Sequence, residues 1–293
     1  MSKESLSEEL EEQISSEERK KRKVQEEKEE KIKQEQFEKD ASGFIIPTFG
    51  SDISNYQGGK ELSYSNDDGA TSRGTKYLVH GRDYWKKQIQ PKYKDNPKYE
   101  LLFRKEFEIG NLLHHVAFPK YWAYGEDENG PYFIMDYIEG WTLNALKRDC
   151  PHFFENKRRT DRFISQLLDG VEYLHTQDVV HCDLKPANVM ITRRTLMVKI
   201  LDLGFCSCGA YDERLRGATK QYAAPEQLND KDLDSRTDIY LIGNLIKAAL
   251  GDASGKISDE VYAVVVDKCL QPNPDYRFQD VSEIKEFIFK SQL

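Results

Sequence analysis

The residues best suited to chemistry lie in one short segment, His181 to Asn188, which reads His-Cys-Asp-Leu-Lys-Pro-Ala-Asn. Within it, Asp183 is followed two residues later by Lys185 and five residues later by Asn188. A carboxylate can accept the proton of an attacking hydroxyl, an ammonium can neutralise a transferring phosphoryl group, and an amide oxygen can bind a metal ion. These three side chains together suit the movement of a phosphoryl group.

A second acidic position lies fourteen residues beyond Asn188. Asp202 follows the mostly apolar run Val198–Leu201 and begins the triplet Asp-Leu-Gly. A carboxylate in a turn suits Mg²⁺ bound to ATP phosphates, because Mg²⁺ prefers one or two carboxylates together with phosphate oxygens. Asn188 and Asp202 are therefore the predicted metal ligands.

These two motifs resemble the signatures of the eukaryotic-type, or Hanks-type, serine/threonine protein kinase family. The resemblance implies an α+β bilobal fold, with a small β-rich N-lobe and a larger, mainly helical C-lobe. It implies transfer of the γ-phosphoryl of ATP to serine or threonine hydroxyls of protein substrates, with Mg²⁺, or alternatively Mn²⁺, as the metal. Asp183 would then be the base, and Lys185 would steady the γ-phosphate and mark the preference for serine and threonine.

The resemblance continues through the second half of the chain. Ala224-Pro225-Glu226 matches the family's Ala-Pro-Glu triplet, and Arg277 matches the arginine that pairs with its glutamate. Thr219 falls where the family keeps a threonine facing the catalytic aspartate, so it is predicted to be a catalytic-site residue. Asp238 matches the aspartate that normally hydrogen-bonds the backbone of the catalytic loop.

The lysine that grips the α- and β-phosphates is predicted from the segment Tyr84–Ile89, which resembles the family's Val-Ala-x-Lys-x-Ile strand. Register against the final isoleucine selects Lys87 over Lys86. Because neighbouring side chains of a strand point to opposite faces, only one of the two lysines can reach ATP. Glu106 is the predicted partner of Lys87, on a helix that ends before His115.

The adenine-binding strand is predicted at Tyr132–Tyr137, with Met135 as the gatekeeper and the backbone of Asp136 and Ile138 bonded to adenine. The phosphate-covering loop is less regular, because no Gly-x-Gly-x-x-Gly precedes Lys87. Its counterpart is predicted at Asn66–Gly74, where Gly69 allows a tight turn.

Two other departures concern regulation and substrate binding. Cys182 replaces the arginine that in the family grips a phosphate on the activation segment, which makes the chain a non-RD variant. A neutral cysteine cannot form such a charge-assisted bond, so activity is predicted not to depend on activation-segment phosphorylation. The short connection Gly251–Ser258 also replaces the longer segment that the family often uses to dock substrates.

Composition limits the remaining alternatives. The net charge of −8 argues against non-specific nucleic-acid binding. The chain begins with no signal peptide and contains no apolar run near the roughly 20 residues of a membrane span. A cytoplasmic protein is expected, with a nuclear location if the basic block Arg19–Lys23 acts as an import signal in a eukaryote.

Three regions are predicted along the chain. Residues 1–42 are a charged extension, helical or disordered, which could bind a partner as a helix. Residues 43–136 are predicted as the N-lobe and residues 137–293 as the C-lobe.

Two rival functions remain open at this point. The irregular phosphate loop favours a pseudokinase, a nucleotide-binding or protein-interaction scaffold with the kinase fold. A small-molecule phosphotransferase is disfavoured by Lys185, the Ala-Pro-Glu triplet and Arg277.

Overall fold

The computed structural model describes residues 63–64, 71–79, 81–209, 219–229, 232–251 and 255–291. The predicted extension at residues 1–42 and the predicted loop glycine Gly69 lie outside these residues. The boundary predicted after residue 136 stays a prediction.

A five-stranded antiparallel sheet forms the first part, in the order β1-β2-β3-β5-β4. The strands are β1 (Ser63–Tyr64), β2 (Ser72–Val79), β3 (Arg82–Ile89), β4 (Tyr121–Asp127) and β5 (Gly130–Asp136). The predicted phosphate loop Asn66–Gly74 is wrong at its end, because Ser72, Arg73 and Gly74 belong to β2. Gly74 is required there, since an added Cβ would lie 1.8 Å from the ring of Trp85 on β3.

Helix α1 (Pro97–Leu112) packs on this sheet. Pro97 occupies the first helical turn, and the Asn96 side chain caps the helix by accepting a hydrogen bond from the Lys98 amide at 3.1 Å. Phe103 and Phe107 lie on the buried face, where both rings contact Phe133 of β5. This aromatic packing fixes the orientation of the helix that carries Glu106.

The second part is mainly helical. Its helices are α2 (Leu143–Asp149), α3 (Lys157–Thr176), α4 (Pro225–Leu228), α5 (Ser235–Leu250), α6 (Glu260–Cys269) and α7 (Val281–Lys290). Helices α3 and α5 each carry more buried aliphatic side chains of the core than any other described element, as their apolar periodicity predicts.

Two small antiparallel sheets lie among these helices. One has the order β6-β8-β9, formed by Gly140–Thr142, Val189–Thr192 and Val198–Ile200. The other pairs β7 (Val179–Val180) with β10 (Ser207–Cys208). The loop from β7 to β8 contains the segment His181–Asn188, and the turn after β9 contains Asp202, so the two sheets hold both predicted motifs.

A buried ion pair stabilises the helical part. The guanidinium of Arg277 donates to both carboxylate oxygens of Glu226, at 2.6 and 2.8 Å. Arg277 is 2% exposed and also donates to the backbone carbonyls of Gln271, Arg236 and Pro272. The predicted pairing of Glu226 with Arg277 is therefore present, and it joins α4 to the chain that leads into α7.

No helix within the described ranges is both long enough and apolar enough to cross a bilayer.

Glu226→Gln should destabilise the fold by about 3–5 kcal/mol at neutral pH, because Arg277 would keep a buried charge without its carboxylate. Burial disfavours ionised Glu226, but the hydrogen bonds from Arg277 outweigh burial and hold its pKa below the usual value. A depressed pKa contributes stability above the unfolded-state pKa of about 4.3, and that contribution is lost as the pH falls through the folded-state pKa.

The gap in unfolding free energy between wild type and Glu226→Gln should thus narrow below about pH 4.3. Denaturant titrations at several pH values measure it. Glu286→Gln is the matched control, since Glu286 lies in an exposed i,i+4 pair with Lys290, and its effect should stay under about 0.5 kcal/mol. A constant gap down to acid pH would contradict the assignment.

Candidate active site

The loop that carries Asp183 is held in place by Asp238. This aspartate is fully buried in the first turn of α5, and its carboxylate accepts the amide protons of His181 and Cys182 at 2.7 and 2.9 Å. Cys182 has a φ of 62°, a left-handed conformation that directs both amides at one carboxylate. The predicted contact of Asp238 with the loop backbone is present in the structure.

His181 joins the two predicted motifs. Its side chain is fully buried, with Nε2 3.1 Å from the carbonyl oxygen of Leu201 and Nδ1 accepting the Asp183 amide at 3.3 Å. A proton on Nε2 alone satisfies both contacts. Because Leu201 precedes Asp202, the histidine links the Asp183 loop to the turn that begins at Asp202. Sequence reasoning treated His181 only as part of a motif and missed this role.

Asp183 lies at the centre of a polar group. Its Oδ2 accepts from Nζ of Lys185 at 2.6 Å and from Nδ2 of Asn188 at 3.0 Å. The Lys185 ammonium also donates to Oγ1 of Thr219 at 3.1 Å. The structure thus brings together all four residues that were predicted to be catalytic.

Burial raises the pKa of the Asp183 carboxyl, an effect that Lys185 opposes. The carboxylate is only 4% exposed. A raised pKa makes an ionised carboxylate a better proton acceptor than an ordinary aspartate. The burial and raised pKa of Asp183 suit it to accept a proton.

Lys87 and Glu106 form the predicted ion pair. The Lys87 ammonium lies 2.7 Å from both carboxylate oxygens of Glu106 and 3.1 Å from Oδ1 of Asp202. Burial disfavours the charged ammonium, but the carboxylates of Asp202 and Glu106 outweigh burial, so the pKa of Lys87 is raised. The lysine stays charged and connects β3, α1 and the turn that begins at Asp202.

Lys86 points the other way, as the alternation of the strand predicts. Its ammonium pairs with Asp127 at 2.7 Å and lies 4.1 Å from the ring centre of Tyr132. The register argument that selected Lys87 is thus supported by the geometry.

Asp202 has a φ of 66° and begins a tight turn in which the Cys206 amide donates to the Leu203 carbonyl. Burial disfavours the charged carboxylate, but Lys87 outweighs burial and lowers the pKa of Asp202. A small recess of about 50 Å³ is lined in part by Lys87, Glu106, Asp202 and Gly204. Asp202 is therefore an ionised carboxylate that lines this recess beside the Lys87 ammonium.

The donor set fits a hard divalent cation. Nδ2 of Asn188 donates to the backbone carbonyl and to Oδ2 of Asp183. This orientation leaves the amide oxygen of Asn188 available as a ligand, since it receives no hydrogen bond within the described part of the chain. One carboxylate and one amide oxygen are the hard ligands that Mg²⁺ takes together with phosphate oxygens.

The predicted adenine-binding strand is β5. Met135 is buried, and Asp136 and Ile138 are half-buried at its end. The amide N–H of Asp136 already donates to the Lys120 carbonyl at 2.9 Å. A contact of Asp136 with adenine has to use the carbonyl oxygen.

Comparison with known proteins gives the family. The model of the protein kinase domain matches residues 69–254, which is more than half of the chain. The chain belongs to the protein kinase domain family. The expected bilobal α+β kinase fold and the serine/threonine kinase resemblance are confirmed by this match together with the relatives.

Three curated relatives illustrate the match. The probable serine/threonine-protein kinase SCO3848 of Streptomyces coelicolor is 29% identical over 241 residues, which cover 70% of this chain and 35% of that protein. The serine/threonine-protein kinase PknB of Mycolicibacterium smegmatis is 29% identical, over 70% of this chain and 38% of that protein. The calcium-dependent protein kinase 4 of Plasmodium berghei is 28% identical over 171 residues, covering 57% of this chain and 32% of that protein.

The chain thus aligns with about a third of the length of these curated relatives.

The two neighbouring lysines of β3 give a matched pair of variants. Lys87→Met removes the ammonium between Glu106 and Asp202, and should weaken ATP binding and lower phosphoryl transfer at least about 100-fold, the loss of a charged group at a reacting centre. Lys86→Met removes a similar charge from the opposite face of β3 and should leave ATP binding and phosphoryl transfer within about twofold, because Lys86 pairs with Asp127 and not with Glu106 or Asp202. Nucleotide titration and a radiolabelled-ATP assay measure these effects; equal losses in the two variants would contradict the assignment.

Proposed function

We propose that this chain is an ATP-dependent protein kinase that transfers the γ-phosphoryl of Mg·ATP to serine or threonine hydroxyls of protein substrates. The observation that carries the proposal is the presence of two sets of polar side chains, each arranged around a lysine. Lys87 joins Glu106 and Asp202 on one side, and Lys185 joins Asp183 and Thr219 on the other. One group suits the nucleotide phosphates and the other suits the acceptor hydroxyl.

The chain's own side chains account for positioning and proton transfer. Asp183 orients the acceptor hydroxyl and takes its proton as the oxygen attacks the γ-phosphorus, while the bond to the β-phosphate oxygen breaks and ADP leaves. Lys185 neutralises charge on the moving phosphoryl group, and Lys87, held by Glu106, grips the α- and β-phosphates. Catalysis of this kind depends on positioning and charge neutralisation, since phosphoryl transfer needs little covalent chemistry from the protein.

Asn188 and Asp202 would hold Mg²⁺, or alternatively Mn²⁺. When bound, the ion supplies charge neutralisation between the phosphate oxygens. The free amide oxygen of Asn188 and the ionised carboxylate of Asp202 support this assignment.

The same contacts favour an active enzyme over a scaffold with the kinase fold. Lys87, Asp183, Asn188 and Asp202 are present with mutual contacts that suit catalysis. Loss of one such group typically costs orders of magnitude in rate, so a scaffold has no need to keep all four in register.

The acceptor preference is supported by Lys185 and Thr219, the two residues that mark serine and threonine specificity in the family. Both lie beside Asp183, because the Lys185 ammonium donates to Asp183 at 2.6 Å and to Thr219 at 3.1 Å. The Thr219 carbonyl also accepts a hydrogen bond from the Tyr222 amide at 2.8 Å.

Activity is proposed to be independent of activation-segment phosphorylation. Cys182 is neutral and only 4% exposed, and its Sγ donates to the Val180 carbonyl. In the sequence from Gly209 to Ala218, Tyr211 is the only residue with a hydroxyl. Residues 209–218 therefore contain no serine or threonine, and the neutral Cys182 gives no cation beside Asp183 to bind a phosphate.

Asp183→Asn tests the proposed base directly. The amide keeps the shape of the side chain but cannot accept the proton, so kcat should fall about 10²- to 10⁴-fold while ATP affinity changes little. Transfer of ³²P from ATP to a serine/threonine peptide library measures kcat, and a nucleotide titration measures affinity. Equal incorporation by wild type and variant would favour the scaffold.

Phosphatase treatment tests the independence from phosphorylation. Removal of all phosphate from the purified protein, verified by intact mass, should leave the initial rate on a peptide substrate unchanged. A parallel sample with inactivated phosphatase is the control. A large loss of rate, restored by preincubation with ATP, would refute the proposal.

A further inference from the structure

Lys105 is a buried charge that the mechanism above does not use. It precedes Glu106 on α1 and is 3% exposed. Its ammonium donates to the carbonyl oxygen of Cys206 at 2.8 Å. Over the described residues it forms no ion pair, and the carboxylate of Glu106 is engaged by Lys87.

Burying the Lys105 ammonium with a single carbonyl partner lowers the stability of the fold. A buried ammonium loses its hydration, and a single carbonyl acceptor returns only part of that free energy. An apolar side chain of similar length would fill the same space without this penalty. The position of the charge therefore calls for a role other than stability.

The carbonyl that accepts the hydrogen bond from Lys105 lies at the end of the turn that begins after Asp202. Cys206 closes the turn that begins after Asp202, because its amide donates to the Leu203 carbonyl at 3.1 Å. The next residue, Ser207, starts β10, which pairs with β7 at Val180 just before the catalytic loop. A bond to the Cys206 carbonyl thus connects α1 to the far end of the metal-binding turn and to the base of the catalytic loop.

Two connections then hold α1 against the Asp202 turn. One runs from Glu106 through Lys87 to Asp202. The other runs from Lys105 to Cys206 and does not pass through the nucleotide-binding lysine. Adjacent residues of α1 are therefore connected to both ends of the same short turn, Glu106 through Lys87 and Lys105 directly.

We propose that Lys105 is a positioning residue that keeps α1 and the Asp202 turn in register for phosphoryl transfer. This inference rests on the proposed kinase function. The bond is intramolecular and needs no modification, so it holds the helix in a chain whose buried Cys182 cannot bind an activation-segment phosphate. When Lys105 is replaced, Glu106 and Asp202 are still present, but their relative positions are less well fixed.

The test compares Lys105→Met with Lys98→Met in the full chain. Lys98 is an exposed lysine in the first turn of α1, so it controls for the loss of one lysine from the same helix. In Lys105→Met, kcat should fall about 10- to 100-fold, the range for losing a hydrogen bond from a charged donor. ATP KM should change less than threefold, and the melting temperature should stay level or rise.

Lys105→Arg keeps a cationic donor and should recover most of the lost kcat. Lys98→Met should match wild type. Wild-type kcat in Lys105→Met would overturn the inference. A fall in kcat together with a lowered melting temperature would also overturn it, because the variant would then be destabilised as a whole. If Lys105→Met does not fold, Lys105→Gln is the alternative test. The glutamine side chain is one bond shorter than lysine, so this variant should show the same fall in kcat.

A second readout separates this inference from the proposed function. Hydrogen exchange followed by mass spectrometry should show faster exchange in peptides covering α1 and residues 202–208 of Lys105→Met, with no change in Lys98→Met. Exchange equal to wild type would overturn the positioning role. If wild type transferred no phosphoryl group, the proposed function would fail, while the exchange result would still decide whether Lys105 positions the turn.

Discussion

The ion pair between Lys87 and Glu106 is the contact on which the proposed site depends. It joins a strand of the five-stranded sheet to α1, and through Asp202 it reaches the turn that follows β9. Burying these charges is unfavourable unless each has a partner. The pair therefore forms only when strand, helix and turn are all in place, which makes it a measure of whether the site is assembled.

Asp238, His181 and Lys105 are buried polar groups whose partners are mainly backbone amides and carbonyls. Asp238 and Lys105 each connect an irregular segment to a helix, and His181 connects two irregular segments to each other. The loop with Asp183 and the turn with Asp202 lack regular secondary structure over most of their length. Backbone groups in such segments need partners when they are buried, and these three side chains supply them.

Much of the site was predictable because its motifs are local. The pattern of one strand selected Lys87, and spacing from His115 selected Glu106. The long helices followed from apolar periodicity, which tertiary packing preserves. The start of β2 at Ser72 was not foreseen, because strand pairing with β3 overrides the turn-like composition of the segment. The contacts of His181 and Lys105 join residues 20 and 101 positions apart, and no local pattern encodes them.

A double-mutant cycle on Lys87→Met and Glu106→Gln tests the central claim most directly. The quantity to measure is kcat/KM for phosphoryl transfer from Mg·ATP to a peptide. If the pair acts as a unit, each single variant should lose activity and the double variant should be little worse than Lys87→Met alone. Losses that simply multiply would show that the two residues act independently, and would contradict the account.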